Sequence, residues 1–217
     1  MKFSDETISI LKNMAQINPS IVLRKGNTIR TVSPSKTIMS KAVVGDEFEE
    51  DAGIFDLSKF IALLSFFEEP DISFNGDRFV IGSGKQKSVY TYTPEGMIVT
   101  PPNNEDINMP EPEAKFDVRW KDIETVIKAA SILGLPEVVF ISDGDKIEFA
   151  AINSENPTSN SYSVTLLEDF NGPKFKLFIS TNNMLMMNSD YRVSLSVAGI
   201  VHFKAKNIEY WIATSSK

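Results

Sequence analysis

TPEGMIVTPPNNEDINMPEPE, residues 93–113, decides how the chain is read. Five of the eleven prolines fall in it (Pro94, Pro101, Pro102, Pro110 and Pro112), and neither a helical nor a strand period runs through it. Proline fixes its own φ and drives the preceding residue to extended backbone, so the stretch reads as a semi-rigid strap rather than a floppy linker. It divides the 217 residues into halves of similar size, 1–93 and 113–217, with 94–112 as the connector. A domain of about 100 residues buries only ~65% of its unfolded surface, so fusing sheets or forming oligomers is a natural way to add core.

Composition narrows the class. With 42% hydrophobic and 24% charged residues the chain reads as an ordinary soluble globular protein, and it has no cysteine. Disulfides, thiolate metal sites and a cysteine nucleophile are excluded together, and a cytoplasmic protein is the simplest expectation. No apolar run reaches the roughly 18 residues of a membrane span, and MKFSDETISILK is too polar for a signal peptide. A net charge of −7 argues against a surface that grips nucleic acid everywhere. The charge is uneven: Lys2, Lys12, Arg24, Lys25, Arg30, Lys36 and Lys41 precede the acidic run Asp46, Glu47, Glu49, Glu50 and Asp51, which reads as a solvated hairpin tip.

Outward from the strap, both halves follow one order. In the first, SDETISILKNMAQIN is a helix capped by Ser4 with Ile8, Leu11, Met14 and Ala15 on its buried face. SIVLRKG, NTIRTVS and KTIMSKAVV follow as strands, and DLSKFIALLSFF is a second helix capped by Asp56. A hairpin about Asn75-Gly76 and the strand KQKSVYTYT close that half. In the second half, the strand KFDVRW precedes the amphipathic helix KDIETVIKAASILG, with Trp120, Ile123, Val126, Ile127 and Ala130 inward. PEVVFISD and DKIEFAAIN form a hairpin about Asp143-Gly144, then come strands SYSVTLLED and KFKLFIS and a short helix NNMLMMN. YRVSLSVAG, IVHFKAK and IEYWIATS finish as a meander. Lys2-Phe3 corresponds to Lys115-Phe116, the turn at Gly26 to that at Gly144, and Ile54-Phe55 to Leu177-Phe178. An internal duplication of about 110 residues, too long for a solenoid, means two similar domains.

Two copies of a helix-and-sheet unit joined by a proline-rich connector, beginning MKFSDETISILKNMAQINPSIVLRKG and continuing GIFDLSKFIALLSFF, resemble the DNA polymerase sliding clamps of T-even-type bacteriophages along essentially the whole chain. The resemblance implies an α+β fold of two clamp domains, each with antiparallel sheets and two helices. It implies a head-to-tail ring of six such domains, with helices lining a hole for double-stranded DNA. Related rings use two or three protomers; the phage family implies a homotrimer. A non-catalytic processivity factor follows, which tethers the replicative DNA polymerase, is opened by an ATP-dependent clamp loader, and serves as a platform for late transcription. No cofactor is implied. The contrasting reading is a structural or peptide-binding β-rich module of a phage assembly, and an enzyme on a duplicated β scaffold is a third.

Candidate residues follow from that picture. Lys12, Lys59, Arg119, Lys121 and Lys128 are the cations left to face DNA, since the helical acids gather near the helix starts, as they also do on dipole grounds alone. Met97, Ile98 and Val99, with Pro101, are unusually apolar for a linker and form one wall of a partner groove, or pin the connector to its sheet. The subunit interface falls to KSVYTYT, with Val89, Tyr90 and Tyr92, and to DKIEFAAIN, with Ile147, Phe149 and Ala151, as apolar edge strands. Other chemistry is weak. GSGKQ at 82–86 resembles a phosphate loop but has Phe79 where glycine is needed and Gln86 where Ser or Thr is needed. His202 is the sole histidine, Asp143 and Asp145 lack the other ligands of a calcium loop, and Met184, Met186 and Met187 read as packing.

Overall fold

Ser4 accepts a hydrogen bond from the Thr7 amide at 3.2 Å and starts α1, Asp5–Ile17. Ile10, Leu11, Met14 and Ile17 are its buried apolar positions, so the inward face is rotated from the expected one and leaves Ile8 and Ala15 half-exposed. The computed structural model describes residues 1–102 and 108–215, so residues 103–107 of the strap lie outside the described residues. The chain forms two compact units, Met1–Glu105 and Asp106–Lys217.

In the first unit α1 is followed by β1 (Ile21–Leu23), β2 (Gly26–Val32), β3 (Ile38–Phe48), β4 (Ala52–Ile54), α2 (Leu57–Ser65), β5 (Asp71–Phe74), β6 (Arg78–Ser83) and β7 (Gln86–Thr91). β1 pairs with β4, β2 with β3, and β5-β6-β7 form a three-stranded antiparallel sheet turned at Asn75-Gly76. Asp56 caps α2 through the Lys59 amide at 2.9 Å. α1 and α2 pack side by side. An aromatic cluster fills the space between α2 and the three-stranded sheet: Phe60 lies 4.8 Å from Phe79 and 5.1 Å from Tyr90.

The acidic run is not a solvated tip. Asp46 accepts from the Ser4 amide at 2.7 Å, and Glu50 accepts from the Gly76 amide at 2.8 Å and the Tyr92 hydroxyl at 3.1 Å. Asp51 accepts from the Lys25 amide and from Arg24, both at 2.8 Å. These carboxylates accept from backbone donors at the start of α1, in the β5–β6 turn and between β1 and β2.

The second unit contains β8 (Ala114–Val118), α3 (Trp120–Leu133), β9 (Glu137–Ser142), β10 (Ile147–Ile152), β11 (Tyr162–Leu167), β12 (Phe175–Ser180), β13 (Tyr191–Ser196), β14 (Ile200–Lys204) and β15 (Ile208–Ala213). One sheet runs β11-β10-β9-β12, and antiparallel pairing links β8-β13-β14-β15. Gly134, at φ 64°, ends α3 in the left-handed conformation that glycine adopts without steric cost. Stacked Phe140 and Phe149, with ring centroids 4.5 Å apart, and Phe203 stand at the core.

The duplication is visible in backbone detail. Gly26 and Gly144 share positive φ values, 106° and 103°. β1 pairs with β4 as β9 pairs with β12. The Met1 backbone exchanges two 2.7 Å hydrogen bonds with Ile72 on β5, the place that β8 takes beside β13.

The second unit departs from the plan at NNMLMMN. That segment is not a helix; only a 3-10 turn at Thr181–Asn183 forms, giving three α-helices among the described residues rather than four. Consecutive asparagines favour local side-chain bonding over helix. Beyond them the Tyr210 hydroxyl accepts from the Met187 amide at 3.2 Å, and the Tyr191 hydroxyl donates to the Met187 carbonyl at 2.5 Å. Those two bonds replace the helical ladder, while Met184 and Met186 fill core positions.

Candidate functional site

The five helix cations differ in their surroundings. Lys59 pairs with Asp56 at 2.9 Å, Arg119 with Asp122 at 3.0 Å and Lys128 with Glu124 at 2.8 Å, each within one turn of its own helix. Lys12 and Lys121 are exposed and make no ion pair among the described residues. Lys12 borders a solvent-open cleft of about 780 Å³ between α1 and α2, together with Asp5, Ile8 and Ala15. Exposed pairs of this kind contribute little to stability. Their effect is to offset three of the five helix cations with a neighbouring carboxylate.

The start of the strap is tied to the first unit. Thr93 donates from its amide to the Gly53 carbonyl at 2.9 Å, and Glu95–Met97 form one 3-10 turn. Arg24 grips both carboxylate oxygens of Glu95 and also reaches Asp51 at 2.8 Å. The Glu95 bond holds the Arg24 guanidinium above its ordinary pKa against partial burial. Ile98 is buried, at 7% exposure, whereas Met97 and Val99 are 66% and 42% exposed. Pro101 is half-buried and lines a cleft of about 40 Å³ with Ser20, Val22, Arg30 and Val99. The four expected groove residues therefore divide: Ile98 pins the strap, Pro101 and the partly exposed Val99 wall a small cleft, and Met97 faces outward.

The edge-strand expectation needs one correction. Ile147, Phe149 and Ala151 lie on β10, which is hydrogen-bonded to β9 on one side and β11 on the other, and all three are fully buried. An interior strand has no edge to offer, so these residues cannot form a strand-to-strand subunit contact. The end of that sheet is β11, which has no backbone partner on its outer side among the described residues. β7 ends the three-stranded sheet in the same way. On β7, Val89 is exposed at 48% and Tyr90 turns inward to Phe60, while Tyr92, just past the strand, turns to Glu50 and Phe79. Burial, and then the Glu50 carboxylate, push the Tyr92 hydroxyl well above its ordinary pKa.

Two family models cover most of the chain. The DNA polymerase processivity factor model matches residues 4–91, and the gp45 sliding clamp C-terminal model matches residues 115–216. The chain belongs to the sliding clamp family. The sliding clamp of Vibrio phage KVP40 is 28% identical over the full length of both chains. That of Enterobacteria phage T4 is 26% identical, over 98% of this chain and 96% of the other. Among solved structures, Archaeoglobus fulgidus PCNA bound to the C-terminal region of FEN-1 superposes with a TM-score of 0.70 at 15% identity, over 97% of this chain and 95% of that one. The DNA polymerase III beta chain of Streptococcus pneumoniae gives 0.68 at 12%, over 98% of this chain and 63% of that one.

This clamp is a polymerase processivity factor. Among the described residues no three His, Asp or Glu side chains gather as a metal site, and no helix is long and apolar enough to cross a membrane. GSGKQ is a hairpin turn between β6 and β7, with Gly84 at φ 56°. His202 stacks on Trp211 at 4.7 Å, 3.0 Å from Glu209. The surface residues that sequence reading passed over are Phe66 and Ile132, exposed at 72% and 82% near the ends of α2 and α3. Their signal was position: each is apolar at a helix end and stands off its buried stripe.

Proposed function

We propose that three copies of the chain close head to tail into a ring around duplex DNA, with β7 of one copy pairing with β11 of the next. The observation that carries this reading is the pair of strand edges, one on each unit, that have six residues apiece and no partner among the described residues. Such edges pair with another chain unless something blocks them, and edges of two different kinds make a heterologous contact, the type that generates rings. α2 lies against β7 through Phe60 and Tyr90, α3 packs on β11, and the exposed Phe66 and Ile132 near the ends of those two helices are available as apolar support. Burying a side chain of that size contributes about 2 kcal/mol. A count of three is favoured by length: the chain spans 95% of the archaeal PCNA and 63% of the bacterial beta chain, as two units against three would.

Lys12, Lys59, Arg119, Lys121 and Lys128 face the DNA in this reading, weakly because three of them are paired to acids. A closed ring is retained by topology, so weak phosphate contacts favour sliding over gripping. The ring has no catalytic activity of its own, works in the host cytoplasm, is opened by an ATP-dependent loader, and offers its strap to the polymerase and to late-transcription factors. Met97 and Val99 are the docking strip. Support comes from the neighbouring PCNA structure, in which the C-terminal region of another protein is bound. The test is solution mass together with loader-dependent retention on nicked circular DNA. A trimer of 24.2 kDa chains that is lost on linearisation is expected; a monomer at micromolar concentration with no effect on polymerase run length would overturn the reading.

A further inference from the structure

The docking strip is held from beneath by two side chains that do not belong to it. Asn18 is the C-cap of α1 and is 2% exposed. Its Nδ2 donates to the Val32 carbonyl at 2.9 Å and to the Val99 carbonyl at 3.0 Å, and its Oδ1 accepts from the amide and hydroxyl of Ser20 at 3.0 and 3.2 Å. Every polar position of the amide is used, with one bond reserved for the strap. Four residues earlier Arg24 grips Glu95, and Asp51, itself held by the Lys25 amide, accepts from the same guanidinium. Met97 and Val99 lie between or at these two pins, and Ile98 is buried over Gly53, where an added Cβ would come within 3.3 Å of its Cδ1.

Val99 and Pro101 line the small cleft beside the strap with Val22 and Arg30, so the way the strap is held decides which apolar surface a partner tail meets. We propose that Asn18 and Arg24 are positioning residues for polymerase docking: together they hold Glu95–Thr100 so that Met97 and Val99 form a fixed apolar strip for an extended apolar segment of the polymerase. This rests on reading the strap as the docking site. Pre-ordering a surface removes part of the entropy lost on binding, so a loosened strip binds more weakly even with its apolar side chains intact.

The test uses the full chain and the cognate replicative polymerase. Asn18→Asp keeps the shape and removes both donors; Arg24→Ala frees the other pin at a half-buried surface position outside the apolar core; Arg24→Lys retains charge but not the two-pronged grip. Amide hydrogen exchange at residues 97–100 and polymerase affinity are measured for each. About tenfold faster exchange with about tenfold weaker affinity is expected for the first two, with Arg24→Lys in between. Unchanged exchange, or faster exchange with equal or tighter binding, would overturn the proposal. Met97→Ser separates the two levels: if it leaves affinity unchanged, the docking reading fails and the positioning role with it. If it weakens binding while Asn18→Asp and Arg24→Ala do not, only the positioning role fails.

Discussion

His202 and Trp211 stack face to face across β14 and β15, with rings 4.7 Å apart and planes 10° from parallel. Burial holds the imidazole below its ordinary value of 6.5, while Glu209, 3.0 Å away, pulls it upward and Lys204 and Lys115 push it down. Below pH 6.5 the unfolded chain therefore binds a proton that the folded chain resists, and stability falls as pH drops from 6.5 toward the folded value. Urea unfolding at pH 7.5 and 5.5 is expected to show lower stability at 5.5. His202→Gln should flatten that difference; an equal pH dependence in wild type and variant would contradict the assignment.

Gly53 allows the strap its closest approach. A Cβ there would stand 2.0 Å from the Thr93 carbonyl oxygen, a backbone atom that cannot turn aside. Gly53→Ala is expected to cost about 1–3 kcal/mol through overpacking and to break the Thr93 amide bond to Gly53. Thermal melting and exchange at Thr93 measure both effects, and an unchanged melting temperature would show that the strap shifts freely.

If α3 faces the DNA, its acids set the strength of its phosphate contacts. Glu124→Gln releases Lys128, so DNA affinity is expected to rise and its salt dependence to steepen by roughly one counterion. Lys121→Gln should act in the opposite direction in the same assay. Binding titrations at several salt concentrations decide it, and identical slopes for the two variants would place α3 away from the DNA.

Val89→Asp puts a carboxylate on the exposed side of β7. If that strand joins neighbouring copies, the solution mass should fall toward a single 24.2 kDa chain with melting of the isolated chain little changed. Phe149→Asp, on interior β10, should instead unfold the second unit, because the charge would be buried without a partner. Light scattering and circular dichroism distinguish the two results.

Local chemistry was legible in the sequence. Ser4 and Asp56 cap their helices, and Asn75-Gly76 and Asp143-Gly144 turn their hairpins, because each signal is complete within a few residues. NNMLMMN misled because Met187 bonds to two tyrosine hydroxyls, Tyr191 and, 23 residues on, Tyr210, in place of a helical ladder. The edge strand misled for a different reason. β10, IEFAAI, is a nearly continuous apolar run, which is the mark of a strand enclosed on both faces; β11, YSVTLL, alternates polar with apolar and stays half-exposed. That contrast was present in the residues, but apolar character was read as a demand for a partner rather than as a sign of having two. The pins at Asn18 and Arg24 were not legible, since nothing local links them to residue 95 or 99.

Two bare strands of six residues make the solitary chain a hazard to itself. If the two edges pair between copies, then at high dilution, or during synthesis before companions have accumulated, each is free to recruit any extended segment it meets. The folded chain is then least safe when scarce, and its resistance to misassociation becomes a property of how much of it a cell contains.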